Sequence, residues 1–309
     1  MSRFGPKLSR PLRRYLYKFW YRLYLGSAKA HWQEWFPGLE LERSPAGEGV
    51  AFRYLGRKPV PLEGVSAIRN RMRTREIVII GSGPSVRNQD FSLLPPRTAI
   101  LLNGAISLIA QQGISPLAVM VEDERFVWRH FPLMAERIGD EDLWCFSPSV
   151  LRALAELNYD WLIGQRIILV QNLLKPYAQS AISLKSLAAD GDVILSPERR
   201  SGFSLNPSKG VVPAGSVVGS AFQFAVAANP EQIGFAGIDM SNADQPRFYE
   251  KRGRQAYSGL VKGVERTLSV MQIGCQVAES HGAAIENYSP VSALRNIGFG
   301  YSDRFEKNG

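Results

Sequence analysis

Four apolar runs in this chain give way abruptly to small, polar or acidic residues, the pattern expected where strands deliver side chains to a ligand. Glu76-Ile-Val-Ile-Ile80 runs into Gly81-Ser82-Gly83-Pro84-Ser85, Thr98-Ala-Ile-Leu-Leu102 into Asn103-Gly104, and Leu117-Ala-Val-Met-Val121 into Glu122-Asp123. Gln232-Ile-Gly-Phe-Ala-Gly237 ends at Ile238-Asp239, and Gly215-Ser216 opens an apolar helix running to about Ala228. Glycines at 81 and 83 permit positive φ and close approach of a ligand to the backbone, and Ser85 is placed to cap a short helix. A glycine-rich turn between a strand and a helix offers unpaired amides and the helix dipole to an anion. The turn lacks the third glycine of a dinucleotide fingerprint and the Lys-Ser/Thr of a phosphate loop, so neither a dehydrogenase nor a nucleoside triphosphatase is indicated.

The elements that must position these residues follow from the same runs. Five-residue β-branched stretches read as parallel strands buried on both faces, and polar residues at their carboxyl ends sit where open α/β sheets bind ligands. Between Asp239 and a long amphipathic helix carrying Val261, Val264, Leu268, Met271 and Cys275, a loop holds Arg247, Tyr249, Lys251, Arg252, Arg254 and Tyr257. Guanidinium and phenol groups there can donate to a phosphate or a carboxylate. With 309 residues, 45% hydrophobic and 21% charged, the chain can bury a large α/β core. The apolar runs are strand-sized, far below the roughly 20 residues of a membrane-spanning helix. The basic N-terminus lacks the apolar stretch of a signal peptide, and Cys145 and Cys275 lie far apart in sequence, which together indicate a reducing compartment.

The net charge of +9 is concentrated at the N-terminus, where residues 1–30 hold eight basic residues and no acidic one. Leu12, Tyr15, Leu16, Phe19, Trp20 and Leu23 fall on one face of a helix, with Arg10, Arg14, Lys18 and Arg22 on another. Such a segment suits the headgroup region of an anionic bilayer. The alternatives are a helix docked on the protein body with a solvated basic face, or contact with nucleic acid, for which the body offers no recognisable module.

Taken in order, Ile77–Ser85 (IVIIGSGPS), Asn103, Gly215-Ser216, Ile233–Asp239 (IGFAGID) and Ile285–Leu294 (IENYSPVSAL) resemble the bacterial sialyltransferase-like glycosyltransferases. This group includes lipooligosaccharide sialyltransferases and lipopolysaccharide-core Kdo (3-deoxy-D-manno-octulosonic acid) transferases. The resemblance spans roughly residues 75 to 295. It implies an α/β fold with a Rossmann-like, mostly parallel sheet flanked by helices, a single-domain GT-A-like variant preceded by the N-terminal amphipathic helix. The corresponding division is 1–36 membrane-associating segment, 37–73 connector or small β-rich prelude, and 74–309 glycosyltransferase domain. It further implies a CMP-sugar donor, inversion at the anomeric carbon, and no cofactor or metal. Gly81, Ser82, Gly83 and Ser85 would contact ribose and phosphate, Asn103 would lie beside the nucleotide or donor sugar, Gly215 and Ser216 near the cytosine, and Asp239 would close the site.

Catalysis by this group relies on a histidine base and on tyrosines at the phosphate. Here His31, His130 and His281 all fall outside the position of that histidine, and His281, beside Gly282 at a helix end, reads as structural. A carboxylate is therefore the expected base, Asp123 first and Glu122 second, with Tyr249 and Arg252 at the leaving phosphate. The missing histidine favours Kdo over sialic acid as the sugar. The partners expected are a nucleotide-sugar donor, a lipid-linked saccharide such as the lipopolysaccharide core, and an anionic membrane surface, with no nucleic acid. The location expected is the cytoplasmic face of the inner membrane. Two other readings remain: a magnesium-dependent pyrophosphokinase-like enzyme using Glu122, Asp123, Asp239 and Asp244, and a non-catalytic nucleotide- or lipid-binding scaffold.

Overall fold

In the computed structural model, residues 10–43, 49–137, 142–189, 191–239, 248 and 260–307 are described. A three-stranded antiparallel sheet comes first, formed by β1 (Leu39–Arg43), β2 (Val50–Tyr54) and β3 (Val60–Leu62). The main-sheet strands then begin with β4 (Glu76–Ile80), β5 (Ala99–Leu102), β6 (Ala118–Val121), β7 (Leu143–Phe146) and β8 (Arg166–Leu169). A small hairpin-like pair, β9 (Val193–Leu195) and β10 (Gly202–Ser204), precedes β11 (Gln232–Ala236), β12 (Ala284–Asn287) and β13 (Gly300–Tyr301). The helices are α1 (Arg10–Leu25), α2 (Ser66–Arg71), α3 (Leu108–Gln112), α4 (Glu124–Arg137), α5 (Pro148–Leu157), α6 (Tyr159–Ile163), α7 (Leu184–Ala188), α8 (Val217–Ala228) and α9 (Leu260–Ser280).

Eight strands pair in the order β13-β12-β11-β4-β5-β6-β7-β8, every neighbour parallel. Alternation along each strand divides the core in two. Ile77 and Ile79, Ile100 and Leu102, and Met120 pack on the side of α8 and α9. Val78 and Ile80, Ala99 and Leu101, and Val119 and Val121 pack on the side of α4, α5 and α6. Both faces are covered, which is why these strands carry apolar residues at every position rather than at every second one. Burying each valine, leucine, isoleucine or methionine among them contributes roughly 1.5–3 kcal/mol.

The order of strands places the ligand edge. From β4 the chain steps outward through β5 to β8, then returns through α8 to lay β11 on the other side of β4 and continues outward to β13. The direction of winding therefore reverses between β4 and β11, and the crevice of an open α/β sheet forms at such a reversal, beyond the carboxyl ends of the strands. Only Asn229, Pro230 and Glu231 separate α8 from β11, so the N-terminus of α8 lies at this same edge.

Candidate functional site

At the reversal, the exits of β4 and β11 are locked together. Gly81 N donates to Ala236 O at 2.8 Å and Gly83 N to Gly237 O at 2.9 Å. A Cβ on Gly81 would come within 2.5 Å of Gly237 O, and one on Gly83 within 2.5 Å of Asp239 Oδ2. Both glycines are thus required by the close approach of the two turns. Neither adopts positive φ, contrary to the sequence expectation; the left-handed residue of the pair of turns is Gly237, at φ 63°. The amides expected to stand open to an anion are likewise taken at Gly81 and Gly83, and at Ser85, whose N donates to Asp239 Oδ2 at 2.6 Å.

Asp239 is buried and receives a second bond from Ser85 Oγ at 2.6 Å. Ser85 is not the cap of the short helix Pro84–Asn88; it sits inside it, and the Asp239 carboxylate accepts the amide that a cap would accept. Burial raises the Asp239 carboxyl above its ordinary range, and the bonds from Ser85 together with the nearby Ser289 hydroxyl oppose that rise. Ser289, just past β12, also accepts from Ile238 N at 3.2 Å.

One strand along, Asn103 leaves β5 at φ 46°, a left-handed conformation that asparagine tolerates. Its Oδ1 is enclosed and has no hydrogen-bond partner. At the exit of the adjacent β6, Glu122 Oε1 is enclosed and unpartnered in the same way. The Glu122 carboxyl faces the α8 side of the sheet, toward the buried Ser220 hydroxyl in the first turn of α8. Burial pushes its pKa up to about 7, the Ser220 hydroxyl acting in the opposite direction. Two unsatisfied acceptors at adjacent strand exits are costly unless something donates to them.

Asp123, the next residue, is more open. Its Oδ1 accepts from Arg125 N at 2.9 Å and its Oδ2 pairs with Arg125 at 2.7 Å, on the surface at the start of α4. Between the two carboxylates weighed as base, the enclosed and titratable one is Glu122. Gly215, at φ 86°, and Ser216 form the entry to α8, and Ser216 makes no side-chain cap bond. Tyr249 and Arg252 lie outside the described residues, as does Asp244. Phe248 N donates to Ser82 O at 3.3 Å, beside the glycine turn. An open hollow of about 540 Å³ between Arg87, Asp90, Gln111 and Phe248 lies on the α3 side of the turn, away from Glu122.

None of the histidines joins this edge. His31 is buried with its Nε2 3.1 Å from Pro176 O, His130 packs on Phe126 within α4, and His281 follows α9 at the opposite edge. Both cysteines are free and buried. Among the described residues, no group of three His, Cys, Asp or Glu is placed to hold a metal ion. Ser220 and Ser289 are the site residues that sequence reasoning passed over. Ser289 stands within a quoted motif and Ser220 in the helix that Gly215-Ser216 opens, but Glu122 and Asp239 lie on segments about a hundred residues away in one case and fifty in the other.

Comparison with known proteins gives three findings. None of the curated proteins compared matches the chain. Solved structures similar to it include the sialyltransferase CST-II in complex with a trisaccharide acceptor and CMP, at 14% identity and TM-score 0.38 over 76% of this chain and 88% of that one. Two others come from Campylobacter jejuni: CstII in complex with a substrate analogue (16%, TM-score 0.37, 76% and 91%), and the monofunctional alpha-2,3-sialyltransferase Cst-I (12%, TM-score 0.33, 76% and 83%). The model of the 3-deoxy-D-manno-octulosonic acid transferase WaaZ family matches residues 62–281, well over half of the chain and all of the edge from Gly81 to Asp239. The chain belongs to the WaaZ family of 3-deoxy-D-manno-octulosonic acid transferases and is a glycosyltransferase.

Proposed function

We propose that this enzyme moves Kdo, with sialic acid the alternative ketosugar, from its CMP-activated form to a lipid-linked saccharide such as the lipopolysaccharide core, working at the cytoplasmic face of the inner membrane. The observation that carries the reading is the pair of enclosed, unpartnered acceptors, Asn103 Oδ1 and Glu122 Oε1, at adjacent strand exits beside the β4/β11 reversal. Asn103 receives a hydrogen bond from the donor. Ser82 and Ser216 flank it, while Gly81, Gly83, Gly215 and the Ser85–Asp239 pair hold the turns in shape.

Glu122 is the general base. A carboxyl held at about 7 is partly ionised at neutral pH yet basic enough to accept a proton from a hydroxyl. The acceptor oxygen bonds to the anomeric carbon from the face opposite the nucleotide as the bond from that carbon to the phosphate oxygen breaks. The proton stays on Glu122 and CMP departs as a phosphate monoester. Tyr249 and Arg252 serve the departing phosphate by donating to it, so the reaction as proposed uses no metal and no cofactor.

Calorimetric titration with CMP, CDP, UMP and ATP, in chelator and then with magnesium, tests the donor. The expected result is metal-independent binding of CMP in preference to the others. Binding of ATP only, and only with magnesium, would overturn the reading in favour of pyrophosphokinase-type chemistry.

A further inference from the structure

Helix α1 is mounted on the protein by its polar side. Arg14 donates to Gln33 O at 2.7 Å and Phe36 O at 3.4 Å and lies 3.9 Å from Glu124, while Arg13 pairs with Glu156 at 3.4 Å. Tyr17 and Tyr21 rest edge-on against Phe36. Behind them the fully buried Arg152 bonds Glu124 and donates to Glu34 O at 2.8 Å, tying the mount into α4 and α5. This revises the sequence expectation that Arg14 belongs to a solvated or lipid-facing basic face: it is a clasp.

The side turned outward is apolar. Tyr15 is 68% exposed, Phe19 54%, Leu23 61% and Leu12 44%, and Trp20 and Tyr24 stack at its border. A helix docked for stability alone turns such a stripe inward. Lys18 and Arg22 are exposed along one flank, and no acidic residue occurs in residues 1–30 to oppose them. The helix has 16 residues, about 24 Å of length, short of the roughly 30 Å needed to cross a bilayer core.

We propose that the outward stripe of α1 lies in the headgroup boundary of an anionic bilayer, and that the Arg14–Glu124–Arg152 clasp fixes the catalytic crevice toward that surface. The occupant follows from the chemistry of the stripe. Aromatic and leucine side chains flanked by cations, without carboxylates, match acyl chains beneath anionic headgroups. The orientation follows from the clasp, because Glu124 is the second residue beyond Glu122 at the exit of β6. This deepens the proposed function and rests on it for the identity of the crevice: a saccharide carried on lipid would reach Glu122 from the side on which α1 is bound.

The test is co-sedimentation of the full chain with phosphatidylcholine vesicles, with and without phosphatidylglycerol. Wild type is expected to sediment with the phosphatidylglycerol vesicles, and Phe19→Ser/Leu23→Ser to lose roughly a hundredfold or more in affinity. Lys18→Gln/Arg22→Gln is expected to lose roughly 25-fold, about fivefold per cation. All four positions are exposed, so the variants keep the fold, checked by unchanged circular dichroism. Equal binding by wild type and the Phe19/Leu23 variant, or no preference for phosphatidylglycerol, would overturn the proposal. So would light scattering that shows a dimer which the same variant converts to monomer, since the stripe would then cover a second copy. CMP titration of the same samples without vesicles separates the two readings: lost CMP binding with intact vesicle binding removes the donor reading alone.

Discussion

At the scale of single residues, Glu122 sets function against stability. Its carboxyl, ordinarily near 4.5, is held at about 7 by burial, so the folded protein prefers the protonated form. Stability from that preference is fully present below the ordinary value and is lost as the pH rises through about 7. Glu122→Gln mimics the protonated state. Its melting temperature is expected to match wild type at acid pH and to exceed it in mild alkali, by the equivalent of about 3 kcal/mol. Activity should fall by roughly 10²–10⁴-fold in the same variant, and wild-type kcat/KM should rise with pH through about 7. A melting curve for Glu122→Gln that tracks wild type at every pH would show that the carboxyl is not held in this way. Gly83 behaves differently, because its replacement meets the Asp239 carboxylate and the Gly237 carbonyl at once. Gly83→Ala should cost about 1–3 kcal/mol by overpacking, read by denaturant melts. That glycine was needed at 83 was legible in the sequence. Its reason was not, since the clashing atoms belong to a turn more than 150 residues away.

At the scale of elements, α8 controls the base through Ser220. The hydroxyl favours the ionised Glu122 and lowers its pKa, so Ser220→Ala removes that stabilisation. The expected outcome is a rise of about one unit or more in the pH at which kcat/KM reaches half its maximum, with CMP affinity unchanged. A loss of activity uniform across pH would assign Ser220 to packing instead. The sequence disclosed the elements themselves well where apolar runs were long. The strands at Glu76–Ile80, Ala99–Leu102, Ala118–Val121 and Gln232–Ala236, and helices α1, α8 and α9, stand where periodicity put them. Leu143–Phe146 and Arg166–Leu169 escaped because a short apolar run alone does not separate a buried strand from a helix segment. Side-chain direction was harder still. Arg14 and Lys18 share a face by spacing, yet one is clasped against Gln33 and Glu124 and the other is exposed, because Glu124 and Glu156 supply partners from α4 and α5 that no local pattern contains.

At the scale of the whole molecule, the order of strands turns dispersed motifs into one edge. The residues at 81–85, 103, 122, 216–220 and 239 converge because the winding reverses between β4 and β11, a fact that no segment carries alone. Convergence also lets donor binding be separated from proton transfer. Asn103 and Glu122 leave adjacent strands, but only Asn103 is assigned to the donor and only Glu122 to the acceptor hydroxyl. Bound ligand stabilises the folded state by RT ln(1 + [L]/Kd), about 2.7 kcal/mol at a hundredfold excess over Kd, or several degrees in melting temperature for a domain of this size. CMP in chelator should therefore raise the melting temperature of wild type and of Glu122→Gln alike. Asn103→Gly is the sharper variant, since glycine accepts the φ of 46° at this position while the side-chain carboxamide is removed. It should lose most of the CMP shift while its ligand-free melting temperature stays within a few degrees of wild type. If Asn103→Gly keeps the full shift and Glu122→Gln loses it, the two assignments are reversed: the buried carboxyl binds the nucleotide, and the base must be sought in the loop beyond Asp239.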